Sequence, residues 1–203
     1  MTKQPSSQRT LAFYEQNASA FWARTRDHDV SHNIAALLRF IEGKPPFSIL
    51  DFGCGPGRDL KTLSSLGHEA VGLEGAEAFA EMARAHSGCE VWVQDFLALD
   101  LPPARFDGIF ANASLFHVPP KELPRVLSEL RAALKPRGVL FSSNPHGNDT
   151  EEIRADGRYG VYHSPEAWRR YMTDAGFSEL THFFRPEGKP REEQPWLASV
   201  WRR

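Results

Sequence analysis

The spacing of apolar residues changes as the chain proceeds. Leu11, Tyr14, Ala18, Phe21 and Trp22 follow a helical spacing with one aromatic-rich face. The ten residues before them are polar and are expected to fray. A second helix is expected after Ser31, a good N-cap, with Ile34, Leu37, Leu38 and Ile41 at i, i+3, i+4 and i+7. Gly43-Lys44-Pro45-Pro46 stops it. From there short apolar runs alternate with helical stripes. FSILDFG reads as a buried strand, and Leu60, Leu63 and Leu66 mark a helix that Gly67 ends. Further strands are expected at 69–74, 90–94, 105–111 and 139–144, with helices at 76–86 and 123–134. Ser164-Pro165-Glu166 reads as N-cap, proline at the first helical position and an acid in the first turn. That helix ends at Gly176, and FSELTHFF and WLASVW close the chain as two strands.

Strands separated by helices over short connections argue for a parallel sheet covered on both faces. The stretch 185–195 is too short for a helical crossover, so the final strand pair is expected to be antiparallel. The fold expected is a doubly wound α/β domain with an antiparallel edge and two extra N-terminal helices.

Composition narrows the setting. With 203 residues, 41% of them hydrophobic, the chain can bury one full core. A formal charge of −2 supplies no basic field for nucleic acid or an anionic membrane. No apolar run approaches the roughly 20 residues that span a bilayer. MTKQPSSQRT lacks the apolar segment of a secretory signal, and Cys54 and Cys89 fall in no CxxC or finger spacing, so a reducing cytoplasm is expected. No histidine pair has metal-ligand spacing on one helix face, and no metal is expected.

The chemistry concentrates in ILDFGCGPGRDL, 49–60. In doubly wound sheets, ligands bind beyond the carboxyl ends of the strands, and Gly53, Gly55 and Gly57 lie there. The spacing is GxGxG, not the GxGxxG of dinucleotide sites. Asp51, two residues ahead of the first glycine, would repel a pyrophosphate but suits a ligand with an amine or sulfonium. Glu74 ends the second strand, where an acid accepts from ribose hydroxyls. Asp95-Phe96 follow the third strand, suited to an adenine amine and ring.

Asp51-Phe52-Gly53-Cys54-Gly55-Pro56-Gly57 resembles the first motif of the class I S-adenosylmethionine-dependent methyltransferases. Glu74, Asp95-Phe96 and the segment from Ala111 to His117 fall where that family carries its later motifs, and LKPRGVL resembles its "LKPGG" turn with Arg137 for the first glycine. The resemblance implies a Rossmann-like sheet of seven strands, mostly parallel, with the last antiparallel. It implies S-adenosyl-L-methionine as cofactor and S-adenosyl-L-homocysteine as product. It assigns Asp51 and the glycine loop to the methionine moiety, Glu74 to the ribose and Asp95 with the Phe96 backbone to the adenine. Gly75, Asn112 and Tyr14 complete the cofactor-binding set. The expected organisation is a single domain over 1–203: a helical lid at 1–42, the cofactor core at 47–144, a substrate-side loop at 145–163 and a C-terminal helix with its strand pair at 164–203.

His117 follows the fourth strand, beside the expected methyl group. It is read either as a base for the acceptor or as a hydrogen-bonding partner of the next loop. Arg58, Arg154, Tyr162 and His163 are assigned to the substrate side, and Arg158 and Arg191 join Arg58 and Arg154 as candidates to bind an acidic acceptor. Tyr14, Phe21 and Trp22 suit either core packing or a lid over a sulfonium. Cys54 reads as a small filler. The expected activity is in-line methyl transfer to an O, N or S atom of a small molecule, with no nucleic-acid or membrane partner. Two rivals stand: a cofactor-binding regulatory or partner subunit without catalysis, and a nicotinamide-dependent oxidoreductase, against which the glycine spacing and Asp51 speak.

Overall fold

The computed structural model describes residues 6–203. Its main sheet contains β1 (Ser48–Phe52), β2 (Glu69–Glu74), β3 (Val91–Val93), β4 (Phe106–Asn112) and β5 (Leu134–Pro145). Two more strands, β8 (Ser178–Arg185) and β9 (Trp196–Arg202), complete it, while β6 (Thr150–Ile153) and β7 (Tyr159–Tyr162) form a separate hairpin. The strand order is β3-β2-β1-β4-β5-β9-β8. β9 runs antiparallel to both β5 and β8, and the other pairs are parallel. This is the expected topology, antiparallel edge included.

Alternation along the strands divides the core. Leu50 and Phe52 of β1, with Ile109 and Ala111 of β4, face one way. They pack with Val126, Leu127 and Leu130 of α5 (Leu123–Ala133) and Trp168 and Met172 of α6 (Pro165–Asp174). Ile49, Phe110, Val139 and Phe141 face the other way, onto Ile34 and Leu37 of α2 (Ser31–Phe40). Each fully buried Leu or Phe contributes roughly 1.5–3 kcal/mol, so these two cores hold the sheet from both sides. α3 (Arg58–Ser65) and α4 (Glu77–Ser87) pack together on the α2 side, through Leu60, Ala80 and Ala83.

The helix ends show where sequence signals succeed or mislead. The Ser164 hydroxyl accepts from the Ala167 amide at 3.1 Å, the cap expected for α6. Ser31 is not a cap but the first residue of α2, and Asp29 Oδ1 accepts from its amide at 2.8 Å. α1 (Ser6–Thr25) begins earlier than the apolar spacing suggested, because Thr10, a polar residue, is buried at its inner face. Asn17 kinks α1 with φ −119° and ψ 16°, and its side-chain amide donates to the Phe13 carbonyl at 2.8 Å. Arg137 takes the left-handed conformation (φ 66°) at the turn where the resemblance has glycine, and its guanidinium pairs with Glu42 at 2.5 Å.

The segment 145–163, read as a polar loop, contains the β6–β7 hairpin. β6 is exposed throughout, so it carries no apolar alternation, whereas Tyr159, Gly160 and Val161 of β7 are buried. The chain steps outward from β1 through β2 to β3, then returns to β4 on the other side of β1. The crevice at that reversal is where ligands bind in such sheets, and the glycine loop lies in it.

Candidate active site

A cavity of about 700 Å³ lies at the carboxyl ends of the central strands. The glycine loop forms one wall, pinned to β2 by the Gly53 and Cys54 amides, which donate to the Leu73 carbonyl at 2.8 and 3.1 Å. Gly53 has φ +78°, and a Cβ there would fall 2.5 Å from Ser114 Cβ, so the loop passes only with glycine. Glu74 is buried against this loop. Its Oε2 accepts from the Gly55 amide at 2.9 Å, and Oε1 accepts from Gly75 and Ala76 at 2.8 and 3.0 Å. Burial pushes its carboxyl above the usual carboxylate range, and the three amides act against that rise. A carboxylate has about four acceptor positions, so capacity for a further donor remains.

Not every residue assigned to the cofactor reaches the cavity. Tyr14, Gly53, Gly55, Glu74, Gly75, Asp95, Phe96 and Asn112 line it; Asp51 and Gly57 do not. Asp51 lies beneath the loop at 2% exposure, and its Oδ2 has no hydrogen-bond partner. Burial first, then the Asp59 charge, raises its carboxyl well above the ordinary range. Gly57 (φ +91°) serves helix packing: a Cβ there would fall 2.7 Å from Ala83 Cα in α4. Asp95 Oδ1 accepts from the Leu97 amide at 2.9 Å, and the Phe96 ring stacks on Phe52 with centroids 4.3 Å apart. Burial raises the Cys54 thiol well above its usual value, which fits a filler and not a thiolate.

A polar chain crosses the cavity wall. Arg58 donates to both Asp59 oxygens at 2.6 and 3.0 Å, and Asn112 donates to Asp59 Oδ2 at 3.1 Å. Asn112 Oδ1 accepts from Asn33 at 3.0 Å, and Asn33 Oδ1 accepts from Arg185. Of these five residues sequence reasoning found only Arg58 and Asn112. Asp59 sat in plain view as an acid in the first turn of α3, whereas nothing local marks Asn33 or Arg185.

α1 covers the cavity. The Tyr14 and Phe21 rings each lie 5.2 Å from the Phe79 ring of α4, centroid to centroid. Glu15 accepts from the Glu77 and Ala78 amides at 2.5 and 3.0 Å, so α1 adds a second acid, beside Glu77, at the N-terminus of α4. The Tyr159 amide donates to Thr10 Oγ1 at 2.9 Å, which ties the hairpin to α1. His117, in the short turn Leu115–His117, is held at both ring nitrogens. Nδ1 lies 2.6 Å from the Tyr159 carbonyl, which only accepts, so Nδ1 carries the hydrogen. Nε2, 2.9 Å from the Tyr14 hydroxyl, is therefore the acceptor. Burial pushes the imidazole down to about 4, and the charges of Arg158 and Arg154 add to the shift. The ring is neutral at physiological pH, with no lone pair facing the cavity unengaged.

The substrate-side set divides as well. Arg58 and Arg154 line the cavity; Tyr162 and His163 do not. Tyr162 reaches it indirectly, through a hydroxyl that accepts from Arg154. His163 follows the end of β7 and packs its ring on Tyr171 and Trp168 of α6, centroids 5.0 and 6.2 Å away. Arg191 is also away from the cavity, over the Phe184 ring at 3.4 Å. Among the described residues no group of three or more His, Cys, Asp or Glu side chains could hold a metal ion.

Residues 49–138 match the family model for a methyltransferase domain. Over these residues the chain is similar to S-adenosylmethionine-dependent methyltransferases. That family takes its methyl group from S-adenosylmethionine. This methyltransferase is 33% identical over 126 residues to 24-methylenesterol C-methyltransferase 2 of Oryza sativa subsp. japonica, covering 58% of this chain and 33% of that one. It is 29% identical over 148 residues to the ubiquinone biosynthesis O-methyltransferase of Histophilus somni (strain 2336), covering 66% and 61%. The chain thus spans about a third of the first relative and less than two thirds of the second. Its fold is that of Burkholderia thailandensis 1,6-didemethyltoxoflavin-N1-methyltransferase, solved with 1,6-didemethyltoxoflavin and S-adenosylhomocysteine, at a TM-score of 0.76 and 20% identity over 98% of this chain and 88% of that one. Among the described residues no helix is long and apolar enough to cross a membrane.

Proposed function

We propose that this methyltransferase moves the methyl group of S-adenosylmethionine to a small-molecule acceptor inside the cavity, in a reducing cytoplasm. The carrying observation is the cover: α1 lays Tyr14 and Phe21 over Phe79 and is latched by Glu15 on α4 and by Thr10 on the hairpin. A cavity of about 700 Å³ closed in this way suits a cofactor with a compact acceptor, and ligand sites commonly measure about 300–1,000 Å³. The free thiols of Cys54 and Cys89 agree with a reducing compartment.

The residues fit the cofactor. The buried, unpartnered Asp51 oxygen beneath the glycine loop suits a cationic group above it, and a Cβ at Gly55 would meet nothing closer than Phe79 at 4.0 Å, so the backbone there is open to a ligand. Glu74 would take the ribose hydroxyls, Asp95 and Phe96 the adenine, and Asn112 with the loop the methionine end. When bound, the cofactor supplies an electrophilic methyl on a sulfonium. The chain's part is to align the acceptor and exclude water. In this reading His117 holds Tyr14 in the cover and is not a base.

The test is transfer of an isotope-labelled methyl group into extract separated into dialysable, RNA and protein fractions. Label confined to the dialysable fraction is expected. Label in RNA or protein would overturn the small-molecule reading, and failure to bind S-adenosylhomocysteine would overturn the enzyme. Tight binding without transfer to any fraction would favour the non-catalytic subunit.

A further inference from the structure

Two facts about the cavity belong together. His117 on its wall is not free to act as a base, because both ring nitrogens are engaged by Tyr159 and Tyr14. The cavity also contains a guanidinium that forms no ion pair among the described residues, although the Asp156 carboxylate is near enough to feel its charge. Arg154 lines the cavity at the turn of the hairpin, near enough for its charge to act on both His117 and Tyr14. Its Nε and Nη2 converge on one neutral oxygen, the Tyr162 hydroxyl, at 2.9 and 2.6 Å. Two parallel guanidinium donors are the fork that takes a carboxylate or phosphate. Among the described residues Arg154 has no ion pair, whereas Arg58 has Asp59 at 2.6 Å and Arg158 has Asp156 at 2.7 Å; Arg185 also lines the cavity outside any ion pair, and it donates to Asn33 Oδ1. The acids Glu74 and Asp95 stand on other elements, at the ends of β2 and just past β3.

Building on the methyl-transfer reading, we infer that the acceptor is an oxyacid anion, held by the Arg154 fork and methylated on its own ionised oxygen without a general base. One acceptor oxygen rests on the guanidinium while a lone pair of another forms the new O–CH3 bond as the S–CH3 bond breaks. The sulfur keeps the electron pair of the broken bond and becomes a neutral thioether, and no proton moves. A positive and a negative charge cancel in this step. Whatever water the α1 cover keeps out favours it, because the separated charges lose more than the transition state when solvent is removed. The free carboxylate or phosphate is the shared chemistry, and the two are separated by experiment.

The experiment titrates benzoate, phenyl phosphate and benzamide into the protein saturated with S-adenosylhomocysteine, by calorimetry. At least one anion is expected to bind, the neutral amide at least about tenfold more weakly. Arg154→Gln is expected to weaken that anion about 10- to 100-fold with S-adenosylhomocysteine affinity and melting temperature unchanged, and Arg154→Lys to recover part of the loss. Which anion binds identifies carboxylate or phosphate. Binding of benzamide as tightly as both anions, binding of neither anion, or an Arg154→Gln variant with undiminished anion affinity would each overturn the inference. A transferred methyl found by mass spectrometry on nitrogen, sulfur or carbon would overturn it too, while leaving methyl transfer standing. Failure of S-adenosylhomocysteine itself to bind strikes the underlying reading and is seen before any anion is added.

Discussion

The two halves of the cavity are held by different means. On the β1–β3 side, side-chain oxygens grip backbone amides: Glu74 takes Gly55, Gly75 and Ala76, and Asp95 takes Leu97. The cap side is joined by residues far apart in the chain, each bond using at least one side chain. Tyr14 and His117 are 103 residues apart, and Thr10 and Tyr159 are 149 apart. A wall fastened to backbone is set by the fold and can recur wherever the fold recurs. A wall fastened by contacts between residues far apart in the chain is rewritten with each sequence, and there specificity can change without disturbing the sheet.

Removing the cap tests this division hardest. Deletion of residues 1–22 should abolish transfer while far-UV circular dichroism retains the sheet signal. A truncated protein with full turnover would return Tyr14 and Phe21 to ordinary packing. On the other side, Glu74→Ala should weaken S-adenosylhomocysteine binding by about 2–4 kcal/mol, read by calorimetry, since it removes two hydrogen bonds to an ionised acceptor. An unchanged Kd in a folded variant would take Glu74 out of the site.

The third test uses pH. His117 is held down to about 4, against about 6.5 for an unperturbed histidine. The folded state therefore prefers the neutral ring. Its contribution to stability is complete above about 6.5 and is lost as pH falls toward about 4. The unfolding free energy of the wild type relative to His117→Gln should drop by about 2–3 kcal/mol across that window, measured by urea titration at each pH. A constant difference would mean the ring titrates as freely as in the unfolded chain. The smallest effect is expected for Tyr14→Phe, about 1 kcal/mol of stability from the lost bond to Nε2. Its S-adenosylhomocysteine affinity should stay near wild type, and a loss as large as that of Glu74→Ala would show that the halves are not separable.

The same division explains what could be read from the sequence. The sheet order, the glycine loop and the acids Glu74 and Asp95 were legible because each depends on local spacing and on position at a strand end. Asp51 and Gly57 carried the right motif, but one lies beneath the loop and the other packs a helix, a distinction made by side-chain direction alone. The cap was largely illegible. Glu15, Phe79, Asn33 and Arg185 meet their partners only after the chain has folded. The hairpin did leave a signal, Asp156-Gly157, a pair common in hairpin turns, but the polar residues of β6 hid the strand. His117 lines the cavity because it follows the fourth strand, and its two occupied nitrogens depend on Tyr14 and Tyr159, which no spacing connects to it.

In the proposed cofactor placement, Asp51 would link the cofactor's arrival to proton binding. A buried carboxyl with an unsatisfied oxygen holds its proton further up the pH scale than a surface acid does. In the proposed cofactor placement, a cation settling on the glycine loop favours the ionised form through a few ångströms of poorly polarisable protein, and a proton leaves for solvent. S-adenosylmethionine carries a sulfonium that S-adenosylhomocysteine lacks, so the two should expel different fractions of a proton. The apparent binding heat of each would then vary with the ionisation enthalpy of the buffer, with the steeper slope for the donor. By the same linkage, acid should weaken the grip on the donor more than on the spent product.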